Sequence, residues 1–340
     1  MKVLGICGGN GVILHRFKKH LIGNIEIRSI FHTKDNEQWK ANFGNIEYVR
    51  KKDNIFRQID RGDINNLDIV IGAPDCGHSS ILALSRAKSF SNPKNNESLN
   101  LFIACVKSFS PKVFLMENLD KLLEQYTYSD LRVVLSQYNI HFKTVSVSEF
   151  GNSQLNRIRL LIIGIRKDFD YGLSNEVRDQ FLKIYKVSKL KTSSELTSGL
   201  EEEDYKTGNI REPLSDIITI YSGAKLSLQD IKLYWERNPD KKRFVVTDRK
   251  FTTAPGVYRN LPNEYPATAR KANRQYNHLG LQLTPRELAR IQGIPDYFKI
   301  YIDPKNPKYW INKSRATVTK TPPYEIGDWF FRQCRDLFNS

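Results

Sequence analysis

The stretch KVLGICGGNGVILHRFKKHLIGNIEIRSIF, which opens at Lys2, constrains this chain more than any other. KVLGIC reads as a buried strand, GGNG as a glycine turn, VILHRFKKHL as an amphipathic helix and IEIRSIF as a second strand, which together make a βαβ unit. The same rhythm continues. LDIVIGA, KVFLME, HFKTVSV and RLLIIGI are short apolar runs of strand length, with helical patterns near Leu99 to Ser108 and Asp120 to Gln137 between them. Alternating strands and helices predict a doubly wound α/β sheet.

After Arg166 the rhythm breaks. From Lys167 to Asn263 the chain is Ser/Thr/Glu-rich and Lys-rich, with aromatics such as Tyr185, Tyr221, Trp235 and Phe244 among the charges. This predicts a second, smaller domain, irregular and partly β. A helix returns at LTPRELARIQG, where Thr284 suits an N-cap, Pro285 the first helical position and Glu287 the third, and Gly293 can close it. The final segment, TPPYEIGDWFFRQCRDLF, reads as a proline turn followed by a helix with an apolar face. The expected division is therefore a sheet domain of residues 1–166 plus 315–340 and a small domain of 167–314.

With 340 residues, 40% of them hydrophobic, the chain can bury a substantial core. No apolar run reaches the roughly 18 residues that span a bilayer, and the N-terminus has no leader pattern, so the expected location is intracellular, without membrane attachment. The four cysteines, Cys7, Cys76, Cys105 and Cys334, form no CxxC pair, which argues against a disulfide framework and a zinc site. A net charge of +16 spread along the chain suits a polyanionic partner; a Lys-rich and Asn-rich compositional bias is the plainer reading of the same charge.

In an open parallel sheet, ligands bind beyond the carboxyl ends of strands, where glycines admit the backbone close to the ligand. CGGNG lies at such an end, although a glycine turn there can be only a tight turn. GAPDCGHSS lies at another, which places Cys76 at the ligand edge, whereas Cys105 and Cys334 fall within apolar helices and read as packing. Glu117 and Asn118 follow a fully apolar strand; the carboxylate can cap a helix or serve as an acid/base group. Arg157 and Arg159, two apart, would point the same way on a strand and could clamp a phosphate or a base carbonyl.

In this order the pieces resemble the cytosine-5 DNA methyltransferases. GAPDCGHSS is similar to the family's Gly-Gly-Pro-Pro-Cys-Gln-Gly-Phe-Ser loop, MENL to its Glu-Asn-Val motif, NRIR to its Arg-x-Arg, and LTPRELARIQGIPDYF to its Leu-Thr-Pro-Arg-Glu-x-Ala-Arg-Leu-Gln-Gly-Phe-Pro-Asp string. The resemblance implies a Rossmann-like S-adenosylmethionine-dependent sheet and a target-recognition region at Lys167 to Asn263. It implies methylation of cytosine in double-stranded DNA, as in restriction–modification systems, by a monomer that flips the base. Cys76 would be the nucleophile at carbon 6, Glu117 the acid at the base, and Arg157 and Arg159 its supports. For the cofactor it implies Gly9 and Gly11, with Gly8 as an alternative register, Phe31 at the adenine face, Asp53 at the adenine amino group, and Pro74; Asp75, Ser80 and Asn118 would meet the substrate.

Several positions depart from the family pattern. Asp75 stands for the second proline, Gly77 for the glutamine after the cysteine, Ile30 for a ribose-binding glutamate, and QLNRIR is one residue out of step with Gln-x-Arg-x-Arg. VTKTPP replaces Gly-Asn-Ala-Val-Pro-Pro, and the acid usual before the glycine turn is absent. These changes leave two alternatives beside cytosine-5 methylation: a relative with an altered substrate, RNA or another pyrimidine, and a catalytically impaired nucleic-acid-binding homologue.

Overall fold

A computed structural model describes residues 1–26, 37–50, 66–74, 96–124, 128–187, 189–197, 243–244, 257–259, 266, 274–276, 283–301, 314–315 and 317–339. Seven strands build the main sheet: β1 (Val3–Ile6), β2 (Leu21–Glu26), β3 (Glu47–Arg50), β4 (Ile69–Gly72), β5 (Val113–Asn118), β6 (Tyr138–Ser146) and β7 (Ile158–Arg166). Their spatial order is β3-β2-β1-β4-β5-β7-β6. The ladders from β3 through β5 are parallel, and β7 runs antiparallel to both β5 and β6. The strand order reverses between β1 and β4, the switch point at which an open α/β sheet makes its ligand crevice.

Alternation along the strands explains why the sheet is covered on both faces. Val113 and Leu115 of β5, with Ile69 and Ile71 of β4 and Leu161, Ile163 and Ile165 of β7, join one core. Phe114 and Met116, with Val70, Leu160 and Ile162, join the other. Helix α1 (Glu37–Phe43) brings Trp39 and Phe43 to the first core, and helix α2 (Glu97–Phe109) covers the second with Leu99, Phe102, Cys105 and Val106. Asn96 caps α2, its side chain accepting from the Leu99 amide at 3.1 Å. Helix α3 (Tyr128–Val134) buries Leu131 in the same core. Cys105 and Cys334 are fully buried, as their apolar settings predicted, and burial pushes the Cys334 thiol well up.

The first core is closed by helix α4 (Asn175–Leu182), through Phe181, and by the C-terminal helix α6 (Tyr324–Asn339; α5 is described below), through Ile326, Trp329, Phe330, Cys334 and Leu337. The expected amphipathic helix after the glycine turn is shorter and tighter, a 3-10 helix over Val12–Phe17, and Gly11 before it supplies no side-chain cap. Phe17 stands edge-on to Phe331 at 5.2 Å, and Arg16 pairs with Asp328 at 2.7 Å. Gly327 has to be a glycine, because any Cβ there would overlap the Ile13 carbonyl.

The chain divides into two compact units: Met1–Phe150 with Ile158–Lys186 and Pro322–Ser340, and Gly151–Arg157 with Val187–Thr321. The sheet-bearing unit thus takes in Lys167–Lys186, which composition had assigned to the small domain, because α4 packs its apolar side into the first core. In the second unit a small sheet has the order β10 (Arg274–Tyr276), β9 (Val257–Arg259), β8 (Arg243–Phe244). Among the described residues no helix is long and apolar enough to cross a membrane.

Candidate active site

At the carboxyl end of β1 the backbone turns through left-handed conformations at Cys7 (φ 54°), Gly9 (φ 63°) and Gly11 (φ 86°). Gly11 has a second reason to lack a side chain, since a Cβ would run into the Phe43 ring. Cys7, 6% exposed, stands at the carboxyl end of β1. Two side chains from β2 hold the turn. Asn24 Oδ1 accepts from the Gly8 amide at 3.2 Å, and Glu26 Oε1 accepts from the Gly9 amide at 2.7 Å and from Asn24 Nδ2 at 3.1 Å. Asn24 is fully buried and Glu26 is 5% exposed. Sequence reasoning missed both residues, because the second strand had been centred on IEIRSIF; it begins at Leu21 instead. The detectable signal was a carboxylate about twenty residues beyond the glycine turn, where nucleotide-binding sheets carry an acid.

His15, just past the turn, is pushed down from 6.5 to about 4 by burial first, then by Lys18 and Arg16. It therefore stays neutral near pH 7 and packs edge-on to Phe43 at 5.9 Å.

A second group gathers at the carboxyl ends of β4 and β5. Glu117, 5% exposed, ends the apolar run of β5, and Arg159 enters from β7, whose antiparallel course brings its first residues to this edge. Arg159 Nε lies 2.7 Å from Glu117 Oε1. A largely buried carboxylate held by one guanidinium is fixed in direction as well as paired. Asn118 bonds to backbone on either side: its Nδ2 donates to the Pro74 carbonyl at 3.1 Å, and its Oδ1 accepts from the Leu119 amide at 2.8 Å. Pro74 lies two residues beyond β4, so Asn118 ties down the chain where it leaves that strand. Phe31, Asp53, Asp75, Cys76 and Ser80 lie outside the described residues.

Arg157 does not join Arg159. The strand starts at Ile158, so the expected two-residue spacing on one face does not apply, and Arg157, 2% exposed, donates from Nη2 to the Thr321 carbonyl at 2.5 Å within the second unit. Gln154, one residue out of step in sequence, donates from Nε2 to the Ile291 carbonyl at 2.7 Å. That carbonyl ends helix α5 (Pro285–Ile291), the element of LTPRELARIQG. Its cap is as the sequence predicted: Thr284 Oγ1 accepts from the Glu287 amide at 3.2 Å, and Glu287 Oε2 accepts from the Thr284 amide at 2.7 Å. Arg290 meets both oxygens of Asp296 at 2.8 Å, and Arg286 donates to the Phe298 carbonyl at 2.9 Å.

Known proteins share this layout. The family described as C-5 cytosine-specific DNA methylase matches residues 1–310. The type II methyltransferase M.FnuDI of Fusobacterium nucleatum is 27% identical over 278 residues, covering 74% of this chain and 72% of that protein. M.NgoBI of Neisseria gonorrhoeae, another type II methyltransferase, is 23% identical over 315 residues, covering 88% and 84%. Two solved structures share the fold: the methyltransferase EhMeth of Entamoeba histolytica, with a TM-score of 0.64 at 15% identity over 99% of this chain and 98% of that one, and the S. pombe Dnmt2 methyltransferase, with 0.61 at 13% identity over all of both chains. A switch-point sheet with a glycine turn at the end of β1 and a paired glutamate at the end of β5, on a chain matched by one family over most of its length, has a single assignment: this chain belongs to the C-5 cytosine-specific DNA methylases and is a DNA cytosine-5 methyltransferase.

Proposed function

We propose that the enzyme acts on a cytosine flipped out of double-stranded DNA, with Cys76 as nucleophile and S-adenosylmethionine as cofactor, and that it does so as a monomer inside the cell. The observation that carries this reading is the Glu117–Arg159 pair, held at 2.7 Å beside the Pro74 carbonyl that Asn118 fixes. Carbon 5 of cytosine is a weak nucleophile until a thiolate adds at carbon 6. Cys76, two residues beyond Pro74 in sequence, makes that addition. Glu117 holds the base at N3 and the exocyclic amino group and shares a proton with N3 as the adduct forms, while Arg159 keeps the carboxylate aimed. Once carbon 5 carries the methyl group, loss of its proton to a solvent base re-forms the 5,6 double bond and expels the Cys76 thiolate.

S-adenosylmethionine supplies, when bound, the methyl group that carbon 5 takes up. The residues present fit it. Gly9 and Gly11 adopt backbone angles that side chains resist, and Glu26 sets a carboxylate against the Gly9 amide. A phosphate-binding turn keeps such amides for an anion; this turn favours a cationic nucleoside. Glu26, at the end of β2, would also meet ribose hydroxyls, Phe31 and Asp53 the adenine, and Gly8 the methionine side. The second unit, with its basic and aromatic sequence, would read the target in the DNA groove.

The test is a duplex containing 5-fluorocytosine incubated with S-adenosylmethionine. The fluorine cannot leave as the proton does, so a covalent complex stable to denaturation is expected with the parent and none with Cys76→Ser. A parent protein that methylates DNA yet forms no such complex would exclude the thiolate mechanism.

A further inference from the structure

We infer that the amino-terminal edge of the main sheet, opposite the edge that carries Glu117, is a second, sequence-independent contact surface for duplex DNA. In a parallel sheet the residues just before each strand share one edge, and a helix that connects two such strands returns the chain to it. Lys2 precedes β1, Lys18 and Lys19 precede β2, Lys107 lies in the last turn of α2, and Lys167 follows β7, whose antiparallel course ends at this edge. All five are exposed.

The acids between them are already neutralised. Asp68 Oδ1 lies 2.8 Å from Lys112 Nζ, and Asp168 Oδ1 lies 2.7 Å from Arg166 Nε. Among the described residues Lys2, Lys18, Lys19, Lys107 and Lys167 enter no ion pair. Glu47, the remaining acid at a strand start, opens β3 at the far end of the sheet. The excess positive charge is felt by a neighbour: after burial, Lys18 and then Arg16 push the His15 imidazole down. The carboxyl edge has the reverse pattern among its described side chains, where Glu26 and Glu117 are acids and Arg159 is paired with Glu117.

From β2 to β7 the edge passes β1, β4 and β5, four strand spacings of about 4.8 Å, hence about 19 Å. Along a duplex this spans roughly six base pairs at about 3.4 Å each. Lysines act as point charges on flexible stems and suit a phosphate backbone, which positions a protein without reporting sequence. Lys112, before β5, and Glu117, near its end, are about 17 Å of strand apart, so DNA on this edge is a different segment from the one that offers the target base. On long DNA the second contact keeps the enzyme attached while the catalytic edge leaves one site for another, because a tethered segment raises the local concentration of its neighbours.

The test is fluorescence anisotropy over a salt series with a dA·dT duplex of about 24 base pairs, which contains no cytosine. Lys18→Glu/Lys19→Glu and Lys107→Glu/Lys167→Glu reverse the charge at the two ends of the row separately. Each pair should weaken binding about tenfold at low salt and lower the slope of log affinity against log salt by about 2, with single-turnover methylation of saturating DNA within about twofold of the parent. Arg132→Glu/Lys143→Glu, on α3 and β6, changes the net charge equally and should weaken binding less than about threefold. Where a Glu pair does not fold by circular dichroism, Lys18→Gln/Lys19→Gln or Lys107→Gln/Lys167→Gln replaces it, with the same loss of slope expected. Loss at only one end of the row, loss at neither, an equal loss in the Arg132/Lys143 control, or a parent that does not bind the duplex overturns the inference. Tighter binding of single-stranded RNA of the same length, abolished by both pairs, assigns the edge to RNA and overturns it as well.

Discussion

Helix α5 and the end of β5 are both stretches of strong family likeness, yet their side chains are used in opposite ways. In α5 the motif residues bond to one another and to nearby backbone: Thr284 with Glu287, Arg290 with Asp296, Arg286 with the Phe298 carbonyl. At the end of β5 two adjacent buried residues reach other elements, one paired with Arg159 and the other tied to the Pro74 carbonyl. The longer signature identifies the family because it specifies a scaffold. On the proposed mechanism the shorter one carries the chemistry. Length of a motif and nearness to the reaction are separate properties.

Substitutions can break that contrast. The largest effect is expected at Glu117: Glu117→Gln should lower the single-turnover rate by about 10² to 10⁴, the usual range for a lost general acid, and leaving Arg159 without its carboxylate should cost about 1–3 kcal/mol in urea unfolding. Asn118→Ala should lower single-turnover methylation about tenfold by loosening the chain where it leaves β4, with a stability loss of about 1 kcal/mol and donor binding unchanged by calorimetry. Thr284→Ala is the mirror case. It should cost about 1 kcal/mol of stability through the lost cap and leave the rate on bound DNA within about twofold. A Thr284 variant with full stability and a collapsed rate would erase the distinction between the two regions.

The smallest effect concerns pH. The folded-state value of His15 lies near 4, below the ordinary 6.5, so the unfolded chain takes up a proton that the folded chain refuses. The His15 contribution is complete above about pH 6.5 and is lost as pH falls toward about 4. His15→Gln should therefore flatten the pH dependence of urea midpoints between about pH 7 and about pH 4.5, with no change in the catalytic rate at neutral pH.

The parts of the molecule that follow local rules were legible from the chain. Buried parallel strands read as unbroken apolar runs, and the α5 cap reads as Thr-Pro-x-Glu, because each is set by neighbours in sequence. Tertiary context decided the others. Gly23-Asn24 is a turn signal by composition, but the sheet buries it within β2, and Asn24 is polar there because the glycine turn needs an acceptor. β3 is a short, mostly polar edge strand with little alternation to detect. Arg157 looked like a partner of Arg159 by spacing, and only the start of β7 at Ile158 and a carbonyl at Thr321 send it elsewhere. Lys167–Lys186 looked alien to the sheet by composition, yet buried Phe181, with Val177 and Leu182 beside it, docks α4 on the first core.

The contact of Gly327 with the Ile13 backbone also bears on the order of folding. The 3-10 helix that follows the glycine turn has its apolar side against residues 326–331, some three hundred positions later in synthesis. In chain order the apolar side of this 3-10 helix is covered only by the much later α6, a long-range closure of the kind that slows folding. A chain truncated before α6 is therefore expected to leave the apolar side of the segment after the glycine turn uncovered.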